Sequence, residues 1–322
     1  MNNTQPQTQP QTQPHTQPRA QSKTDNRFLQ LLDRQQALLA DGATGTNLFD
    51  MGLTAGDAPE LWNLSQPEKI IALHQSFADA GADIILTNSF GANASRLKLH
   101  SAEDQVYDIN KAAATIARQV ADNSGRTLAV GGSIGPTGEM LFPLGTLTED
   151  EAAAMFAAQA QGLADGGVDV IWIETMSALE EVIAAVKGAK TVGLPIVTTM
   201  SFDTHGHTMM GISPAAFSDF KHQTLGEDVT AIGCNCGVGA EESLAALAKV
   251  APDIIKVVKA NCGVPQFKNG EICYTGTVES MAEYAKTAAQ SGIRVIGGCC
   301  GTTPAHLRAM RAALDAVNAA RS

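Results

Sequence analysis

The sequence predicts a single (β/α)8 barrel, and three observations carry that prediction. Eight short apolar runs alternate with amphipathic segments along most of the chain. A helix-end, glycine, buried-strand unit recurs three times. The length of 322 residues suits one barrel of roughly 250 residues plus a terminal extension. A doubly wound sheet, or two smaller domains, would fit the alternation or the length alone; the count of eight favours the closed barrel.

The extension comes first. Residues 1–26 are low complexity, built on a repeated Thr-Gln-Pro unit with nothing apolar to bury, and are expected to be disordered. His15 within it reads as a solvated residue. The barrel is assigned to residues 27–322. Its strands are expected near Leu38–Asp41, Asp83–Asn88, Leu128–Ser133, Asp169–Glu174, Ile196–Phe202, Ala231–Cys236, Ile254–Asn261 and Arg294–Cys299. Capping boxes are expected at Ser65–Glu68, Thr148–Glu151 and Ser177–Glu180, where a hydroxyl and a carboxylate can satisfy free amides. Pro304 after Thr303 marks another helix start.

The repeat is Ala78-Asp-Ala-Gly-Ala-Asp-Ile-Ile85, Ala164-Asp-Gly-Gly-Val-Asp-Val-Ile171 and Ala289-Gln-Ser-Gly-Ile-Arg-Val-Ile296. Seven residues beyond its glycines (Gly81, Gly167, Gly292) stand Asn88, Glu174 and Cys299. An amide, a carboxylate and a thiol therefore share one structural position, the C-terminal lip of a strand, where parallel barrels build their active sites.

Composition narrows the chemistry. A formal charge of −11 argues against nucleic acid as partner. No apolar run is long enough to span a bilayer, no export signal is evident, and six cysteines then suggest a reducing, cytoplasmic setting. Composition leaves open whether the chain forms a homo-oligomer.

Cysteines in such a setting bind metal or do chemistry more often than they form disulfides. Cys299 and Cys300 are adjacent in a glycine frame at the eighth strand's end, and Cys236 closes the sixth. Two strands whose lips face one mouth could bring these thiols together as a three-cysteine zinc site with a position left for a ligand. Cys234, two residues before Cys236, could take its place; Cys262 and Cys273 read as structural. Asp203-Thr-His-Gly-His207 reads as a polar loop. No strand end carries the histidine that a Ser-His-Asp or Cys-His nucleophile needs.

Taken together, Ala40-Asp-Gly-Ala-Thr-Gly-Thr46, Leu86-Thr-Asn-Ser-Phe90, Gly132-Ser-Ile-Gly-Pro136, Ile173-Glu-Thr175, Gly233-Cys-Asn-Cys236 and Gly297-Gly-Cys-Cys-Gly301 resemble the homocysteine S-methyltransferase family, over residues 37–316. The resemblance is nearest to its bacterial betaine–homocysteine branch and extends to the homocysteine-binding module of cobalamin-dependent methionine synthase. It implies a (β/α)8 barrel, zinc on Cys236, Cys299 and Cys300, and methyl transfer to L-homocysteine giving methionine. It also implies that Asp41, with Gly42 beside it, and Glu174 hold the amino-acid part of the substrate; Asn88 and Asn235 are further lip candidates.

For the donor, betaine is the expectation, with Trp62 as one aromatic wall of a cation site. Animal betaine enzymes carry tyrosines where this chain has Gly91 and Thr175, and Phe90 reads as core. S-methylmethionine, another sulfonium or a methyl-corrinoid protein are the alternative donors. A zinc- or redox-sensing protein using the vicinal cysteines is the alternative outside enzymes.

Overall fold

A computed structural model describes residues 26–268 and 271–320; the Thr-Gln-Pro repeat and His15 lie outside them. The strands run in chain order β1 Leu38–Leu39, β2 Ile84–Leu86, β3 Ala129–Ile134, β4 Val170–Met176, β5 Ile196–Met200, β6 Ala231–Cys236, β7 Lys256–Ala260, β8 Pro265–Lys268, β9 Glu271–Tyr274 and β10 Val295–Gly298. Eight of them pair in parallel in the order β1-β10-β7-β6-β5-β4-β3-β2. A parallel bridge from Ala40 to Ile84 joins the two ends, so the sheet closes into the expected barrel. The antiparallel hairpin β8–β9 has no counterpart in the sequence prediction; it interrupts the alternation between the seventh and last barrel strands.

Period-two alternation sorts the strand residues. Leu38, Ile84, Leu86, Ala129, Val170, Trp172, Val197, Ala231, Val257 and Val295 cluster inside the ring. Leu39, Ile85, Val130, Ile171, Ile232, Val258 and Ile296 join the helices in a second, outer core. Strands buried on both faces must be apolar on both, which is why these runs read as continuous rather than alternating.

The N-terminal end is closed by the helix Arg27–Arg34, whose Phe28, Leu31 and Leu32 belong to the inner cluster. Truncating the fully buried Phe28 would cost about 3–5 kcal/mol. Asn26, assigned from sequence to the tail, is instead part of this plug. It caps the helix through Leu29 N and donates to Asp169 O at 2.7 Å.

The repeat holds: Gly81, Gly167 and Gly292 all have positive φ (97°, 97° and 79°), one residue past their helix caps. The capping boxes hold in part. Thr148 and Glu151 exchange the expected bonds, and Thr303 caps the helix Pro304–Ala319 together with His306. Ser65 instead ends the preceding short helix, bonding Leu61 O at 3.0 Å, and Pro67 starts the next without a side-chain cap. Ser177 sits one residue too early, since Ala178 is the N-cap of the helix Leu179–Ala189.

Candidate active site at the C-terminal mouth

A cavity of about 1050 Å3 opens at the C-terminal ends of the barrel strands. Asp41, Gly42, Asn88, Glu174, Asn235, Cys236, Cys299 and Cys300 all line it, so eight residues singled out from sequence meet at one place. Lys259, Ser133 and Tyr274 line it too and were not anticipated.

The sulfurs of Cys236, Cys299 and Cys300 lie within 4.8 Å of one another. Alternation alone would not achieve this. Cys234 and Cys236 share strand parity, and Cys234 follows it into the outer core, where its thiol donates to Ser243 O at 3.6 Å. Burial pushes that thiol up to about 12. Cys236 escapes because its φ is +62°, a left-handed conformation that non-glycine residues seldom adopt. The turn re-aims its side chain into the mouth. The choice between Cys234 and Cys236 is thus decided by one backbone angle. On the last strand, Cys299 N donates to Ala260 O at 2.8 Å, and Cys300 O accepts from Cys262 N at 2.9 Å. Within the trio Cys236 accepts from both neighbours, which pulls its thiol down to about 3, while Cys299 is raised and Cys300 is lifted to about 11. One thiolate among the three is therefore readily formed.

Glu174 is 8% exposed and stands across the mouth. Its Oε1 accepts from Ser133 Oγ at 2.5 Å and its Oε2 from Asn235 Nδ2 at 3.3 Å. Burial raises its pKa, with Lys259 opposing the shift. Thr175 beside it also has positive φ (+64°), and its amide donates to Asn235 Oδ1 at 2.9 Å. Asn235, which also accepts from Thr199 Oγ1 at 2.6 Å, ties strands β4, β5 and β6 around the carboxylate. Asn88 does similar work for the short helical segment 59–65, donating to Pro59 O at 2.8 Å and Asn63 Oδ1 at 3.2 Å.

Asp41, which the resemblance implies helps to hold the substrate, lines the cavity but already has partners of its own. It is 1% exposed, its Oδ2 accepts from Leu86 N at 2.8 Å, and its Oδ1 accepts from Lys259 Nζ. Burial alone would depress the Lys259 ammonium, but Asp41 and Glu174 outweigh it and raise its pKa. A lysine at an inward position of a strand was the available signal. Tyr274 was hidden in the unpredicted hairpin.

Two aromatic expectations are corrected. Trp62 does not line the cavity; it packs in the outer core with Lys69 Nζ 4.3 Å from its ring centroid. Its place in a short helix turns it toward the helix Pro67–Asp79. Phe90, read as core, lines the cavity along with Phe49.

A closed barrel whose strand ends gather three thiols, buried carboxylates and a buried ammonium around one mouth defines a metal-competent (β/α)8-barrel protein with an open cavity at that mouth. The chain belongs to the homocysteine S-methyltransferase family, whose profile matches residues 38–314. It is 33% identical over 309 residues to a methionine synthase of Mycobacterium tuberculosis and 32% identical over 303 residues to that of Mycobacterium leprae. These matches cover 90% and 88% of this chain but only 25% of either relative, so the chain spans a quarter of their length. The homocysteine methyltransferase MmuM of Escherichia coli superposes in its oxidized form with a TM-score of 0.72 at 27% identity, covering 89% of this chain and 99% of that one. Its metallated form superposes equally well, at 25% identity and the same coverage.

Proposed function

We propose that this protein transfers a methyl group to the sulfur of L-homocysteine, giving methionine, with zinc held by Cys236, Cys299 and Cys300. The observation that carries this reading is the approach of those three sulfurs within 4.8 Å at the floor of an open cavity. The donor set suits zinc: three soft ligands, with no fourth histidine, cysteine or carboxylate joining them among the described residues. Bound there, zinc would supply a Lewis acid that keeps a substrate thiol ionised at neutral pH.

The chain's own residues do the rest. Glu174, oriented by Ser133 and Asn235, accepts the substrate ammonium in a charge-assisted contact. Asn88 fixes the short helical segment 59–65, whose Pro59 and Glu60 line one side of the cavity. The substrate sulfur attacks the methyl carbon with its lone pair, and the donor departs with the electrons of the broken bond, so the three centres must be held nearly in line. The methyl-transfer step needs no general base.

Betaine is the donor this reading puts first, as a small cation facing Phe49, Phe90 and Tyr274. The wall is not that of an animal betaine enzyme. A Cβ on Gly91 would stand 2.8 Å from Glu60 Oε1, so a tyrosine there would displace a buried carboxylate. A second reading, a sulfonium such as S-methylmethionine or a methyl-corrinoid protein as donor, is favoured by that difference and by relatives four times as long. The test is methionine formation by the zinc-loaded protein from L-homocysteine with each donor in turn. Methionine from betaine is expected. Turnover only with a corrinoid protein or a sulfonium would replace the donor. Zinc binding with no turnover and no homocysteine affinity would leave only a sensor.

A further inference from the structure

Lys259 is the one cationic side chain lining the mouth among the described residues, and neither the sequence reading nor the proposed reaction uses it. It is 3% exposed, lies on strand β7 between β6, which ends at Cys236, and β10, which Cys299 and Cys300 follow, and lines the cavity. An ammonium carries three hydrogens. Two are directed at Asp41, to Oδ1 and to the backbone oxygen at 3.3 Å. Asp41, 1% exposed, already has Leu86 N on Oδ2 and the Lys259 ammonium on Oδ1, so its charge is neutralised by a direct ion pair before any ligand arrives. Of the acids lining the mouth, Asp41 and Glu174 act on Lys259, and these two are unequal, since Asp41 alone pairs with it directly. Asp41 holds Lys259 in place, and Glu174 stands as the carboxylate open to a ligand cation.

We propose that Lys259 is a specificity-determining residue that receives the α-carboxylate of the amino-acid thiol, its third N–H completing with Glu174 a receptor for a zwitterion. The assignment rests on the proposed use of homocysteine. Charge argues in the same direction. Zinc on three thiolates would carry a net charge of −1, so with Asp41 and Glu174 beside it the mouth would repel a substrate carboxylate if Lys259 were neutral or absent. A cation fixed by a buried carboxylate costs nothing to reorganise when the ligand arrives. Lysine at this depth is otherwise expensive, since burial of an ammonium is tolerated only when it is paired.

The test is calorimetry of the zinc-loaded protein with L-homocysteine and with 3-aminopropane-1-thiol, which keeps the thiol and ammonium and lacks the carboxylate. The unaltered protein should prefer L-homocysteine, and Lys259→Met should reduce that preference by about 10- to 100-fold, the worth of one charge-assisted hydrogen bond. Affinity for the carboxylate-free thiol should change far less. Lys259→Met leaves Asp41 buried and unpaired, so the pair D41N/K259M is measured beside it. Asparagine retains an acceptor for Leu86 N, and the double variant should show the same lost preference. Equal affinity of the unaltered protein for both thiols, or a preference that persists in both variants, overturns the assignment. Failure of the unaltered protein to bind either thiol would overturn the homocysteine reading itself, and the assignment with it.

Discussion

At the N-terminal end of the barrel, the position two residues beyond each repeat glycine carries a charge: Asp83, Asp169 and Arg294. Asp83 Oδ2 accepts from Leu39 N and Arg311 Nη1, both at 2.8 Å. Asp169 Oδ2 accepts from Val130 N and Arg118 Nη1, again at 2.8 Å. Arg294 donates to the carbonyls of Leu32, Gln35 and Gln36, fastening the helical plug. At the C-terminal end, five residues further along the same frame, Asn88, Glu174 and Cys299 border an open cavity. The carboxylates at one end are matched by guanidinium groups on the outer helices and by strand amides; at the other end Asp41 pairs with Lys259, while Glu174 is held by Ser133 and Asn235. One repeated unit thus latches the strands at its start and presents chemistry at its finish. The difference teaches that stability and reactivity are separable here along each strand.

Substitutions at the two ends should therefore fail in different ways. The largest effect is expected from Cys299→Ala, which should abolish stoichiometric zinc and lower methyl transfer by more than the roughly 100-fold that loss of a mere supporting partner can cost. Elemental analysis and a methionine assay read both. Cys234→Ala, in the outer core, should keep its zinc, and a loss there would break the distinction drawn between the two cysteines of β6.

Next comes the opposite end. Asp83→Ala strips Arg311 and the Leu39 amide of their acceptor and should destabilise the fold by about 3 kcal/mol in denaturant titration, with metal content unchanged. Metal loss in that variant while it is still folded would show the ends to be coupled. Glu174→Gln should weaken L-homocysteine binding by about 10- to 100-fold in calorimetry without altering zinc content or unfolding midpoint by a comparable amount.

The smallest effect concerns Glu60, buried beside the cavity with its Oε1 accepting from Gly91 N at 2.6 Å. Burial raises its pKa above the ordinary 4.5. The folded chain then holds this proton where the unfolded chain has released it. Its contribution to stability is present below 4.5 and is lost as pH rises toward the folded value. Glu60→Gln should flatten that decline in unfolding midpoints measured across the acid range. An unchanged slope would assign the decline to other carboxyls.

Much of the site was legible because its signals are local. A glycine frame around two adjacent cysteines, a carboxylate at a strand lip and a repeat that counts seven residues from a helix end all survive in one dimension. Three things were not. Trp62 reads as an exposed aromatic near the mouth, but nothing in its own segment shows that Lys69 and the outer core will claim it. The β8–β9 hairpin is short and lacks the apolar alternation that would announce it, so Tyr274 went unseen. The capping hydroxyls of Ser65 and Ser177 match the motif, yet a proline and a one-residue shift moved the helix starts.

The sequence by itself determined the barrel and the end at which its chemistry lies, because alternation and strand-end position follow from the period of the chain; Cys236 over Cys234 came from the family motif, and the backbone turn at Cys236 carries it out. The tertiary structure alone decided how the acids divide their work. Asp41 and Lys259 are 218 residues apart, and only closure of the ring through β1 and β10 brings a buried ammonium onto one carboxylate while leaving Glu174 facing the cavity. Pairing of buried charges depends on distance in space, and separation along the chain does not reveal it.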